Sequence, residues 1–167
     1  MARICRKSRS RLGLPLGVLS LLLAIIGCGG GDDNDPPQVR IGQAVWDVDL
    51  AINDAQRHRG LAGRAHLDES VGMLFMYPKA RPRAYCMRGC LIPLDIAFID
   101  SDLRIVKIYT MLAELDRRGR MTYSSGVPAQ YVLEVSAGAF RRNGVVEGAK
   151  VVFLGNIPPA TKVDPGP

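Results

Sequence analysis

The stretch that most constrains this fold is residues 72–100, GMLFMYPKARPRAYCMRGCLIPLDIAFID. It holds two dense apolar runs, 73–77 and 91–99, separated by a basic, proline-broken turn (Pro78, Lys79, Arg81, Pro82, Arg83) and a Cys-Met-Arg-Gly-Cys insert. In the second run Leu94, Ile96 and Phe98 alternate with Asp95 and Ala97. A period of two marks a half-buried strand, because consecutive side chains on extended backbone point to opposite sides, whereas a helix repeats about every 3.6 residues. The stretch predicts a core β unit.

The rest of the chain reads in the same terms. Residues 45–52, VWDVDLAI, alternate and carry the single Trp, Trp46, as a core or rim anchor. Asn53 and Gln56 have the spacing of a capping box, which predicts a helix start; Gly60 and Gly63 keep that helix short. Ser101-Asp102 predicts a tight turn between strands at 96–99 and 105–109. Residues 113–120, AELDRRGR, predict an exposed loop, and 131–135 alternate once more. Residues 137–143 suit a short helix stopped by Gly144, with Arg141 and Arg142 in the last turn, where they favour the helix dipole. Residues 151–154 predict a final strand. The sum is a mainly β, compact sandwich- or barrel-like domain of about seven short strands with two short helices. Long amphipathic helices and a βαβ alternation are both missing, which argues against a doubly wound α/β fold. The domain is expected over 39–155, followed at 156–167 by a disordered tail containing Pro158, Pro159, Pro165 and Pro167.

The net charge of +6 suggests nucleic acid until the charges are placed. Arg3, Arg6, Lys7, Arg9 and Arg11 precede residue 28, so 22 cations less these five leaves seventeen against sixteen acids. A nucleic-acid binder needs its surplus on the folded domain, so none is expected as a partner. Residues 1–27 instead read as an export signal: a basic start, an apolar run from 12 to 26 that is shorter than the roughly 20 residues of a membrane span, then Gly27-Cys28. Ile25-Ile26-Gly27-Cys28 resembles the bacterial lipobox, with Ile25 where Leu is usual. The reading is a lipoprotein signal peptide over 1–27, lipidation at Cys28 and a flexible acidic tether over 28–38. The domain is then exported and held by its N-terminal lipid on the periplasmic or extracytoplasmic side of a membrane. A plain secretory signal or an uncleaved anchor is the competing reading.

Catalytic signatures are absent: no G-x-S-x-G, no Walker A, no H-E-x-x-H and no paired C-x-x-C. His58 and His66 are too few for a triad or zinc site, and no metal or cofactor is expected. Met73, Met76 and Met87 with Cys86 and Cys90 could in principle form a soft-metal site for copper, although methionines in strands usually fill cores. Arg59, Arg88, Asp95 and Glu134 are the polar candidates for a binding cleft. Asp95 and Glu134 interrupt apolar strands, where a charge is costly unless paired. They either face solvent, pair with Arg59 or Arg88, or line the cleft. Three function classes follow. One is a lipid-anchored binding or interaction module of the cell envelope, taking an envelope protein or a small-molecule ligand. The second is an envelope enzyme using Asp95 or Glu134 with Arg59, and the third a structural or assembly role.

Four blocks carry a family likeness: RGLAGR (59–64), GMLFMY (72–77), CMRGCLIPLDIAFID (86–100) and PAQYVLEVSAG (128–138). In order and spacing they resemble the bacterial and archaeal family called domain of unknown function 192, over about residues 45–154. The resemblance implies a mainly β fold and an exported or lipid-anchored protein, and it implies no activity. Where the family pattern has Trp-Met-Lys-Asn-Thr this chain has Cys86-Met87-Arg88-Gly89-Cys90, so no role for an Asn or Thr carries over. If the leader removes Cys5 and lipidation consumes Cys28, then Cys86 and Cys90 are left in an oxidising compartment. A straight strand would separate them by roughly 13 Å, beyond the ~7 Å reach of a disulfide, so a bridge requires a turn at Met87-Arg88-Gly89. The alternative is two small buried apolar residues in an extended segment.

Overall fold

The computed structural model describes residues 35–164 except 115 and 117. The expected signal peptide, Cys28 and most of the tether lie outside the described residues. Nine strands form. They are β1 (Gln38–Ile41), β2 (Ala44–Ala51), β3 (Val71–Arg81), β4 (Ala84–Cys86), β5 (Leu94–Ile99), β6 (Ile105–Met111), β7 (Thr122–Ser124), β8 (Ala129–Ser136) and β9 (Val151–Leu154). Seven make one sheet in the order β6-β5-β8-β3-β2-β1-β9, and β4 pairs with β7 in a second, two-stranded sheet. The fold is mainly β, a curled sheet with two short α-helices, as the periodicity predicts. Among the described residues no helix is long and apolar enough to cross a membrane.

Every pairing is antiparallel except that of β2 with β3. A parallel pair needs a crossover, and residues 52–70 supply it, so one β-α-β unit does occur. Its helix α1 (Asp54–Arg59) starts where expected. Asn53 Oδ1 accepts from Gln56 N at 2.9 Å, and Gln56 Oε1 accepts from Asn53 N at 3.2 Å. β5 and β6 form the expected hairpin across Ser101-Asp102. α2 (Ala139–Arg142) is shorter than the expected 137–143.

The central sheet is buried on both faces, which corrects the half-buried reading of residues 94–98. All six residues of β5 are buried. One core contains Trp46, Val48, Leu74, Met76, Ala97, Leu133, Val135 and Phe140. The other contains Met73, Phe75, Met87, Ile96, Phe98 and Val132. In β3 and β5 odd and even positions therefore go to different cores, with α2 and residues 145–163 covering the first and the β4–β7 sheet the second. Trp46 is a core anchor, edge-on to Phe140 at 5.8 Å. β3 and β8 approach closely at Gly72, where an added Cβ would lie 2.7 Å from the Glu134 carbonyl oxygen.

Residues 156–164 pack against the domain, contrary to the disorder expected from their prolines. A short 3-10 helix spans Ala160–Lys162, Val163 enters the first core, and Asp164 N donates to Ile52 O at 3.0 Å. Two apolar side chains, Ile157 and Val163, supply burial that composition averaged over the tail conceals.

Candidate functional site

The site forms where α1, the second half of β3 and β4 meet over β8. β2 delivers the chain into the capped start of α1, so Arg57, His58 and Arg59 emerge beside the end of β3. Arg57 is tied down: its guanidinium pairs with Asp54 and donates to Met76 O at 3.0 Å and Asp164 O at 2.9 Å. It also lies 5.1 Å from the centre of the Tyr77 ring, whose other cationic neighbour, Arg83, stands at 3.5 Å. β3 runs on through Pro78 to Arg81, so the turn expected over 78–83 contracts to residues 82 and 83; β4 follows at once and carries Tyr85 to Tyr77. Their hydroxyls are 2.7 Å apart, and Tyr85 stands edge-on to Phe75 at 5.2 Å.

Together these elements enclose a cavity of about 410 Å³ lined by Phe75, Tyr77, Tyr85, Arg59, Arg88 and Glu134, with Asp54, Cys86 and Cys90 also on its wall. Glu134 lies within the sheet itself, paired across the strands with Met73 and Ile96. It is 6 % exposed. Among the described residues its carboxyl has no hydrogen bond and no ion pair. Burial pushes its pKa from 4.5 to about 8, because the low-dielectric surroundings disfavour the charged form. The neighbours respond to the same environment. Burial, then the adjacent Glu134 and Cys86, raise the Cys90 thiol to about 11, and burial, then Tyr77, lifts the Tyr85 hydroxyl well above its usual range. Arg59 and Arg88 are exposed, and among the described residues neither has an ion pair. A second cavity of about 410 Å³ shares Arg59 and Gly60 with the first, but its acid, Asp49, is already paired with Arg64.

The expected cleft thus forms in part. Arg59, Arg88 and Glu134 line one cavity, together with Cys86 and Cys90. Asp95 does not belong to it. It pairs across the strands with Val135 while Glu134 pairs with Ile96, so the two carboxylates leave the sheet on opposite faces. Asp95 is bound there: Thr110 Oγ1 donates to Oδ1 at 2.7 Å and Phe140 N to Oδ2 at 3.0 Å. The second bond supplies a cap to α2, whose Gly138 N-cap has no side chain to do so. The expected pairing of Arg59 with Asp95 or Glu134 is not made. The sheet stands between Asp95 and Glu134, and only Glu134 shares a cavity wall with Arg59.

Cys86 and Cys90 are free thiols in this structure, not a disulfide. The turn that a bridge requires is nonetheless present, with Gly89 at φ +70 and Cys90 N bonded to Met87 O at 3.1 Å. Met76 lies in one core and Met73 and Met87 in the other, so the three cannot meet around copper. His58 lines the cavity, whereas His66 is bonded to Asp68 at the surface. Sequence reasoning missed Phe75, Tyr77 and Tyr85. The available signal was aromatic residues on both sides of the Pro82-Arg83 break, which the packing of β4 over the sheet brings together.

Comparison with known proteins gives structures and a family. A protein from Sinorhizobium meliloti 1021, described as a "putative transcription regulator", is 31% identical with a TM-score of 0.65, covering 74% of this chain and 98% of its own. A protein of unknown function from Novosphingobium aromaticivorans DSM 12444 is 29% identical with a TM-score of 0.64, covering 70% and 83%. No protein of curated function matches. The model of the uncharacterized ACR family, DUF192, matches residues 38–153, and the chain belongs to that family.

Proposed function

We propose that this protein is an exported, lipid-anchored binding module of the cell envelope whose ligand site is the cavity between α1 and β4. The observation that carries the binding site is Glu134, a residue 6 % exposed whose carboxyl has no partner among the described residues, on the wall of an aromatic-lined cavity. A buried polar group ordinarily has its hydrogen bonds made within the fold. One that is left open toward a small-molecule-sized cavity, beside two guanidiniums without ion pairs, suits a site completed by a ligand. The anchor rests on the lipobox-like Ile25-Ile26-Gly27-Cys28 and the basic, then apolar, leader before it.

The two halves are tested separately. For the site, a fragment library is followed by NMR on wild type and Ala84→Trp, an exposed wall position where an indole fills the mouth without entering either core. Hits should shift the Phe75, Tyr77 and Tyr85 signals and lose that effect in the variant. Hits that map elsewhere, or persist unchanged in Ala84→Trp, would remove the site. For the anchor, Cys28→Ser should abolish incorporation of a fatty-acid analogue and release the domain from the membrane fraction. Equal incorporation in both proteins would end the lipoprotein reading.

A further inference from the structure

Charge is layered across this cavity. The acid, Glu134, sits deep, at 6 % exposure, whereas the arginines without ion pairs, Arg59 and Arg88, are exposed at the opening. Phe75 and Tyr85, edge-on to each other at 5.2 Å, line the same cavity. The remaining guanidiniums nearby are already engaged, Arg57 by Asp54 and two carbonyls, and Arg83 by Tyr77 and the carbonyls of Lys79 and Ala129. A singly charged cation would satisfy the carboxylate but would enter past two positive groups. A simple anion would satisfy the arginines and leave the buried carboxyl facing its apolar end. A neutral ligand could accept from the protonated carboxyl but would leave the two guanidiniums at the opening unmatched.

Resting on the ligand-site reading above, we infer that the cavity takes a small zwitterion, an amino carboxylate or a chemically similar molecule, with its ammonium group inward at Glu134 and its anionic group outward at Arg59 and Arg88. The aromatic walls contact the apolar segment between the charges, and the ammonium gains both a charged hydrogen bond and the π faces beside it. Binding is coupled to a proton. Tyr77 on β3, Tyr85 on β4 and Cys90 in the turn after it face Glu134 as neutral groups; on α1 the Asp54–Arg57 pair and His58 share the wall, and Arg59 and Arg88 are the cations across the cavity. Burial keeps Glu134 mostly protonated at neutral pH, so an arriving ammonium group replaces that proton, which leaves to solvent.

The test is calorimetric titration of the full chain in mild detergent with four matched probes: 5-aminopentanoate, pentylamine, pentanoate and pentanamide. The corresponding eight-carbon set covers a longer span. The amino acid should bind at least tenfold more tightly than any of its three relatives, and at pH 7 should release close to one proton, read from buffers of different ionisation enthalpy. Glu134→Gln should weaken the zwitterion and the amine tenfold or more, abolish proton release and leave pentanoate unchanged. The Arg59→Ala, Arg88→Ala double variant, at exposed positions that do not endanger folding, should weaken the zwitterion and pentanoate and spare the amine. The inference is overturned if pentanoate or pentanamide binds as well as the zwitterion, or if neither variant discriminates among the probes. If those probes still shift the Tyr85 and Phe75 signals, the site survives and only its ligand class is wrong. If no probe shifts them, both readings fall.

Discussion

Replacing Glu134 by glutamine removes an ionisable group from the sheet interior while keeping its shape and polarity. In the unfolded chain the carboxyl titrates near 4.5, and in the fold near 8. Below 4.5 both states hold the proton and the group contributes nothing to pH dependence. Between the two values the unfolded state gives up its proton and the folded state retains it, so stability falls as pH rises. Above 8 the cost is complete. At about 1.4 kcal/mol for each pKa unit the full difference is about 5 kcal/mol, and about 3 kcal/mol of it is present at pH 7. Glutamine does not titrate. Its variant should match wild type at pH 4 and grow more stable relative to it through pH 9, while the other titrating groups cancel in the comparison. Urea unfolding at half-unit pH intervals measures this, provided the denaturant slope stays equal in the two proteins. A stability difference that stays flat within about 0.5 kcal/mol across the range would mean that Glu134 is solvated or paired, and the physical case for the site would fail.

Other expectations follow from the same geometry. Asp95→Ala removes the cap of α2 and the Thr110 partner, and should cost about 2–3 kcal/mol in urea unfolding without affecting ligand binding; a loss of binding at equal stability would contradict the assignment of Asp95 to the opposite face. Cys90, buried and raised to about 11, should alkylate far more slowly at pH 8 than the more accessible Cys86. Peptide mass mapping reads both rates, and two unreactive thiols that appear only after reduction would show instead that a disulfide forms. Gly72→Ala should destabilise by about 1–3 kcal/mol, since its Cβ would press on the backbone of β8 at 2.7 Å; an unchanged urea midpoint would show that the two strands can separate freely.

Much of the architecture is legible along the chain because it depends on local rules. The period-two runs place β2, β5 and β8, the Asn53–Gln56 spacing sets the start of α1, and Ser101-Asp102 turns the hairpin that places β6. β1, β4 and β7 are not legible: none carries the dense apolar run that marks β9, and each exists through pairing, β1 with β2 and β9, and β4 with β7. The candidate residues divide in the same way. Glu134 and Asp95 stand out in sequence for one shared reason, a charge inside an apolar strand, yet they serve different ends.

The sequence by itself determined that this chain makes short strands, that its charge excess precedes the domain, and that Glu134 and Asp95 would need an explanation. Tertiary structure alone decided which explanation each received. A shift of one position in strand phase sends neighbouring side chains to opposite faces, so the register of β5 against β8 gave Asp95 to a helix cap and Glu134 to the cavity. The aromatic walls were decided in the same way. Tyr77 and Tyr85 meet only because the two-stranded β4–β7 sheet packs over the face of β3 that carries Tyr77.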